Sequence, residues 1–163
     1  MLTLEDSTIK NSYFKRGIIY IYDSKNISGK TIFKRSKFLN NTSEKGTILH
    51  IADLNYDTGS KFEFYNNTFT NNIASKFGGV FYVMNKHEFN LPRFKIEGNT
   101  FKNNHAQIGD ILYSYLNNTF PEFDNIAETS RASLPSYFKM YENKTEKITL
   151  LSGEHIPSGI SCK

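Results

Sequence analysis

Acidic side chains are the residues of this chain that could do catalytic chemistry, since two carboxylates about 5 to 9.5 Å apart can hydrolyse a glycosidic bond. Asp53 and Asp57 lie close together, and Glu63 falls in a strand-like segment. Depending on how the loops are counted, Glu63 aligns with Glu97 or with Lys95 in the next copy of a repeat. One stacked acidic pair is therefore compatible with the sequence, although we interpret these acids as solvated surface groups.

A polysaccharide lyase would instead need acids that bind calcium beside an Arg or Lys base. Arg93 has no acids at a suggestive spacing. The single cysteine, Cys162, is penultimate, so no disulfide is expected within the chain. The histidines share no position of the repeat and have no cysteine partners, which argues against zinc; they are His50, His87, His105 and His155. We therefore predict no catalytic residue, no metal site and no cofactor.

A repeat must position these side chains, and its copies are anchored at Ile9, Phe38, Phe69 and Phe101, which are 29, 31 and 32 residues apart. The clearest copy is NTFTNNIASKFGGVFYVM, residues 67–84. A fixed period in this range indicates stacked repeats, each stable only against its neighbours. Around this copy, residues 61–65, 68–70 and 80–84 resemble short strands, so we predict three strands per rung.

The repeated residues have structural roles in such a rung. A core column of stacked rings is predicted from Phe38, Phe69 and Phe101. Corners in the left-handed conformation, with amides bonded from rung to rung, are predicted at Asn41, Asn72 and Asn104. A tight approach before the last strand is predicted at Gly17, Gly46, Gly79 and Gly109. A second apolar column is predicted from Ile19, Ile48, Phe81 and Ile111.

The composition favours a mostly β protein. Hydrophobic residues make up 38% of the 163 residues, and 15% are Phe or Tyr, which suit strands. No window of a dozen residues has apolar groups at helical spacing, and no apolar run is long enough to span a membrane. The net charge of +4 comes from basic residues scattered among acids, so we expect no nucleic-acid partner.

The repeat pattern ends after Asn118, which sets the predicted domains. Residues 1–118 are predicted to form a parallel β-helix, 119–135 a linker or capping loop, and 136–163 an incomplete β-sandwich-like segment. Within that segment we predict strands at 136–141 and 147–151, and a third that starts at Ile156-Pro157. The N-terminus lacks the pattern of a signal peptide, and we expect the chain to be a piece of a longer protein.

The segments Phe69-Thr70-Asn71-Asn72 and Gly78-Gly79-Val80-Phe81 resemble the FxxN and GGA[ILV] motifs of the bacterial polymorphic outer-membrane proteins. Residues 38–41 and 101–104 keep the first motif, whereas 46–48 and 109–111 keep one glycine of the second. The chain as a whole also resembles large β-helix surface proteins of eukaryotic microbes. These resemblances imply an all-β fold, a right-handed parallel β-helix of about four rungs, on an extracellular or cell-surface protein with adhesive roles.

Two functions follow as hypotheses. The first is a non-catalytic structural or adhesive segment of a larger surface or secreted protein, which contacts glycans or other proteins. The alternative is a pectin-lyase-like polysaccharide lyase or glycoside hydrolase, although the Asp-Asp, Gly-His-Gly and Arg-x-Lys signatures of pectin-cleaving hydrolases are absent.

Sequons provide candidate glycosylation sites in a secreted eukaryotic chain. Four of them are Asn26, Asn66, Asn117 and Asn143. Two more, Asn40 and Asn41, overlap the predicted corner, where a glycan would interfere with stacking.

Overall fold

The computed structural model describes residues 1–22, 29–52, 60–84, 94–115 and 123–133, together with the backbone of 138–140 and 160–162. The chain forms two compact units, residues 1–133 and residues 134–163.

The first unit is a parallel β-helix with four complete rungs. The first rung contains β1 (Leu2–Glu5), β2 (Thr8–Lys10), β3 (Tyr13–Phe14) and β4 (Ile19–Ile21). The second contains β5 (Lys30–Lys34), β6 (Lys37–Leu39), β7 (Thr42–Lys45) and β8 (Leu49–Ile51). The third contains β9 (Lys61–Tyr65), β10 (Thr68–Thr70), β11 (Ile73–Phe77) and β12 (Phe81–Val83). The fourth contains β13 (Phe94–Glu97), β14 (Thr100–Lys102), β15 (His105–Ile108) and β16 (Leu112–Ser114).

Each rung contributes one strand to each of four parallel sheets, which we number in the order that a rung meets them. The first sheet contains β1, β5, β9 and β13, and the other three repeat this pattern. Equivalent anchors lie side by side, so that Phe69 pairs with Phe38 on one side and Phe101 on the other. Strands this short have no partner within their own rung, which is why the stack, not the single rung, is the stable unit.

The prediction of three strands per rung was wrong, because the described residues of each rung already form four. The strand missing from the sequence interpretation in the third copy is β11, in which Ala74 is the only buried side chain. A strand that buries one small residue lacks the alternation of large apolar side chains by which strands are recognised. Its hydrogen bonds to β7 and β15 define it instead.

A bulge in β11 changes which glycine of the third copy lies at the corner. The register shifts between Ala74 and Phe77, so the third copy holds one extra residue before its glycines. Gly78, with φ of 59°, therefore takes the place equivalent to Gly46 and Gly109, whose φ angles are 54° and 72°. The tight approach predicted at Gly79 is confirmed, because a Cβ added there would overlap the Asp110 carbonyl oxygen.

The second apolar column was predicted one residue away from its true position in two rungs. Ile19 and Phe81 each pair with Leu49, not with Ile48. In the fourth rung the partner of Phe81 is Leu112, not Ile111. Ile48 and Ile111 instead flank Val80, whose neighbours they are through backbone hydrogen bonds. Both sets of side chains belong to the core; all are buried except Ile19, which is partly buried and packs against it.

Aromatic rings stack through the centre of the β-helix. The Phe38 and Phe69 rings are 5.1 Å apart between centroids and inclined by 11°. The Phe69 and Phe101 rings are also 5.1 Å apart, inclined by 12°. Phe64 and Phe81 contact Phe69 edge to face, so offset stacking along the column and edge contacts across it occur together.

Asparagine pairs form the corners between the second and third sheets, and the two members differ in role. The first of each pair has the left-handed conformation, with φ of 54° at Asn40, 54° at Asn71 and 51° at Asn103. The second member is buried and bonds between rungs. The predicted left-handed role of Asn41, Asn72 and Asn104 is thus wrong by one residue, whereas their amides do form a ladder.

The β-helix extends past the boundary predicted at residue 118. A 3-10 helix, Glu128–Ser130, leads into β17 (Arg131–Ser133), which pairs with β16 in the fourth sheet. Phe123 and Ile126 pack against the core at this end. The segment predicted as a linker or capping loop thus corresponds, in its described part, to a cap that belongs to the first unit.

The second unit contains an antiparallel pair, β18 (Phe138–Met140) with β19 (Ile160–Cys162). β18 lies within the strand predicted at 136–141. The strands predicted at 147–151 and from Ile156 lie outside the described residues, and the β-sandwich remains a prediction. In the described parts of the chain, no helix has the length and apolar character needed to cross a membrane.

Candidate ligand groove on the fourth sheet

The outer face of the fourth sheet carries a column of aromatic side chains. Its strands point alternate residues into the core, which leaves Tyr20, His50, Tyr82 and Tyr113 outward and in register. The ring centroids of Tyr20 and His50 are 4.9 Å apart, and those of His50 and Tyr82 are 4.7 Å apart. Tyr82 and Tyr113 stack with their planes inclined by 6°.

Two cations lie beside this column, on the strand corners that precede it. The guanidinium carbon of Arg16 is 4.7 Å from the centre of the Tyr20 ring, and Nη1 donates a 3.0 Å hydrogen bond to the Tyr20 hydroxyl. Nζ of Lys45 is 5.0 Å from the centre of the Tyr82 ring and 5.6 Å from that of Phe77. Cation–π attraction places both charges over aromatic faces.

A groove of about 400 Å³, a size typical of ligand sites, lies beside both cations and three rings of the column. Its walls combine these three rings with an aliphatic edge and three charged groups. The lining residues are Arg16, Tyr20, Glu44, Lys45, His50, Ala52, Tyr82, Met84 and Tyr115.

His50 is the most perturbed titratable group in the groove. It is 7% exposed, and burial, reinforced by the positive charges of Lys45 and Arg16, lowers its pKa to about 4. The ring is hydrogen-bonded to the Lys45 backbone, whereas Nδ1 is shielded and has no partner within the described structure. Burial also raises the pKa of Tyr82 and of Tyr113, so both phenols are uncharged at neutral pH.

Glu63 and Glu97, whose alignment the sequence left open, do not lie side by side. Glu63 lies beside Lys95 in the first sheet, and Glu97 lies beside Tyr65. Lys30 donates to the Glu63 carboxylate at 2.9 Å, so this acid is held as an ion pair. The remaining candidates, Asp53, Asp57 and Arg93, lie outside the described residues.

His105 is the other histidine among the described residues, and it does not line the groove. His105 is exposed and pairs through Nδ1 with Asp110 at 2.9 Å, and the same carboxylate oxygen accepts from the Ala106 backbone. His87 and His155 lie outside the described residues. Within the described residues, no group of three or more His, Cys, Asp or Glu side chains is arranged to hold a metal ion.

The sequons differ in accessibility. Asn66 is exposed at a corner with φ of 54°. Asn40 is exposed, but its amide donates to Asn11 and accepts from Asn71. Asn41 is fully buried. The candidates Asn26, Asn117 and Asn143 lie outside the described residues.

The sequence interpretation missed the aromatic column, although a signal for it was present. The fourth strands read Ile-Tyr-Ile, Leu-His-Ile, Phe-Tyr-Val and Leu-Tyr-Ser, with a ring in every middle position. The signal appears only after the third copy is aligned with its extra residue.

A scan of family models, a search of curated proteins and a search of solved structures found no match to this chain.

Proposed function

We propose that this chain is a non-catalytic, adhesive segment of a larger extracellular or cell-surface β-helix protein, and that it contacts glycans through the groove on the fourth sheet. The observation that carries the proposal is the outward aromatic column bordered by polar and charged groups. Apolar walls with a few oriented polar groups are typical of sites that bind small molecules or parts of polymers.

Sugar rings match this kind of surface because they present C–H groups and hydroxyls together. Met84 and Tyr115 are partly exposed in the groove and offer apolar contact. The Tyr82 hydroxyl makes no hydrogen bond with the described residues and is free to bond to a ligand hydroxyl. A β-helix also repeats such a face along its axis, which suits an extended polymer.

The test is a binding and turnover screen of the 163-residue chain against immobilised glycans, with and without calcium. We expect retention without release of product. Tyr115→Ala should weaken retention, whereas Tyr13→Ala removes a 67% exposed tyrosine outside the groove and should not. Circular dichroism should confirm that both variants keep the β-sheet spectrum of the unmodified chain.

Three results would overturn the proposal in different ways. Release of a cleaved product would restore the alternative, a lyase or hydrolase, and would direct mutagenesis to Glu63, Glu97 and Arg93. Retention that is unaffected by Tyr115→Ala would place the binding face elsewhere on the β-helix. Binding to surface proteins but to no glycan would identify a protein-contacting segment instead.

A further inference from the structure

We infer that the groove takes an acidic glycan and that Arg16 and Lys45 hold its carboxylate or sulfate group. This inference rests on the proposed glycan binding and goes further by naming the chemical class of ligand. Two adjacent cations support it. Aromatic rings hold both side chains in place, and neither cation forms an ion pair with a carboxylate among the described residues.

The two cations occupy the same place in successive rungs. Arg16 directly precedes Gly17, and Lys45 directly precedes Gly46, the glycine at the equivalent corner. Because neighbouring strands are separated by about 4.8 Å, the two side chains leave the backbone close together. In the next rung this place is taken by Phe77, which pairs with Lys45, so the positive charge is confined to one end of the groove.

No described carboxylate lies within ion-pair distance of Arg16 or Lys45. Glu44 is the acid in the groove, and its described ion-pair partner is Lys76, at 3.9 Å. The field at the neighbouring His50 is accordingly positive, since Lys45 and Arg16 both oppose its protonation more than Glu44 favours it. An anionic group bound between the cations would relieve the repulsion between them.

The donors are also arranged for an anion. Arg16 uses one nitrogen, Nη1, on the Tyr20 hydroxyl, which leaves other guanidinium N–H groups available in a fixed plane. A guanidinium fork of this kind matches the oxygens of a carboxylate or sulfate group. Lys45 adds a point charge held over Tyr82, and the Tyr82 hydroxyl adds a neutral donor beside it.

A second, independent feature lies in the same groove. His50 is more than nine-tenths buried, yet its Nδ1 has no hydrogen-bond partner within the described structure. An unsatisfied buried polar atom weakens a fold, and native structures contain few of them. The unpaired Nδ1 of His50 therefore indicates that the groove is not built for stability alone.

The experiment compares three immobilised polymers of similar length: a carboxylate-bearing polyuronate, a sulfated glycan and an uncharged glucan. We expect the chain to prefer an acidic polymer, and the ratio between the two acidic arms identifies which group is bound. The double variant Arg16→Gln/Lys45→Gln should lower affinity for it roughly tenfold or more, since each cation supplies a charge-assisted hydrogen bond. Added salt should weaken binding of the unmodified chain more than that of the variant.

Lys102→Gln is the matched control, because it removes an exposed charge from a different sheet, and its affinity should stay within about twofold. Equal binding of all three polymers, unchanged by the double variant, would overturn the inference but leave the proposed glycan binding intact. Loss of binding to every glycan would overturn both. Stronger retention of single-stranded oligonucleotides than of acidic glycans would also refute the inference.

Discussion

The side chains of Asn72 and Asn104 bond to each other one rung apart, with Nδ2 of Asn72 donating to Oδ1 of Asn104 at 3.0 Å. The same oxygen accepts the Asn72 backbone N–H, also at 3.0 Å, and Nδ2 donates to the Phe38 carbonyl at 2.9 Å. Asn41 repeats this arrangement with Asn72. Each amide thus bonds to the rung on either side of it.

A second ladder of asparagine side chains occupies the neighbouring corner of the rung. Asn67 donates from Nδ2 to Oδ1 of Asn99 at 3.0 Å and to the Phe33 carbonyl at 2.8 Å, and both asparagines are buried. Backbone groups at buried corners need partners, because an unsatisfied one is costly. The two ladders supply those partners where the strands are interrupted.

Replacement of Asn72 by Ala should lower the free energy of unfolding by about 2 to 4 kcal/mol, because it leaves several buried donors and acceptors unpaired. The measurement is urea denaturation followed by circular dichroism. Asn103→Gly is the control, since this exposed residue has φ of 51° and glycine adopts that conformation without strain. A loss at Asn72 no larger than that at Asn103 would show that the ladder contributes little to stability.

Replacement of Gly78 by Ala should be destabilising by about 2 kcal/mol or more, because alanine is strained at φ of 59° and its Cβ would overlap the Phe81 carbonyl oxygen. Gly29→Ala is a matched control, since nothing lies within 4 Å of a Cβ added there. Thermal unfolding of the two variants beside the unmodified chain gives the comparison. Equal melting temperatures for all three would argue against the register assigned to β11.

The stability of the β-helix should decrease as the pH falls from about 6.5 to about 4, in part through His50. Burial lowers the pKa of this histidine from 6.5 to about 4, so over this interval the unfolded chain binds a proton that the folded chain does not. Above about pH 6.5 the imidazole is neutral in both states and contributes no pH dependence.

The His50→Phe variant isolates this contribution, because it keeps a ring in the column but removes the titrating group. We expect its melting temperature to fall less steeply than that of the unmodified chain between pH 6.5 and pH 4. Both proteins also lose stability as their carboxylates are protonated, and this common loss cancels in the comparison. Parallel curves would mean that His50 is not held neutral by burial.

In a eukaryotic secretory host, the folded chain should carry a glycan at Asn66 and none at Asn41. Asn66 is exposed, and its side chain makes no hydrogen bond with the described residues, whereas Asn41 is 0% exposed and its amide is bonded in the ladder. Glycopeptide mass spectrometry of the secreted protein measures both sites. Asn66→Gly should abolish the signal at that site without loss of secretion, and detection of a glycan at Asn41 in folded material would contradict the assignment.

Residue type and spacing alone predicted much of this architecture. The period between Ile9, Phe38, Phe69 and Phe101 predicted a stacked β protein, because a rung can bury its apolar face only against another rung. The number of rungs followed from the number of anchors. Local chemistry was also informative at the corners, where paired asparagines identified the turns.

The sequence could not show which residues of neighbouring rungs lie side by side. A shift of one residue matters, because successive side chains of a strand point to opposite faces of the sheet. One extra residue in β11 placed Gly78 at the left-handed corner and Leu49 beside Phe81. The register of the first sheet placed Lys95, not Glu97, beside Glu63, which counting had left open.

By itself, then, the sequence determined the fold class, the repeat and the identity of the anchors that pack in or against its core, because these depend on local patterns that recur. The tertiary structure decided the fourth strand of the rung, the register of its columns and the meeting of Arg16, Lys45 and His50 at one groove. Those features arise from hydrogen bonds between rungs about 30 residues apart, and a bulge in one rung is detected only against its neighbours.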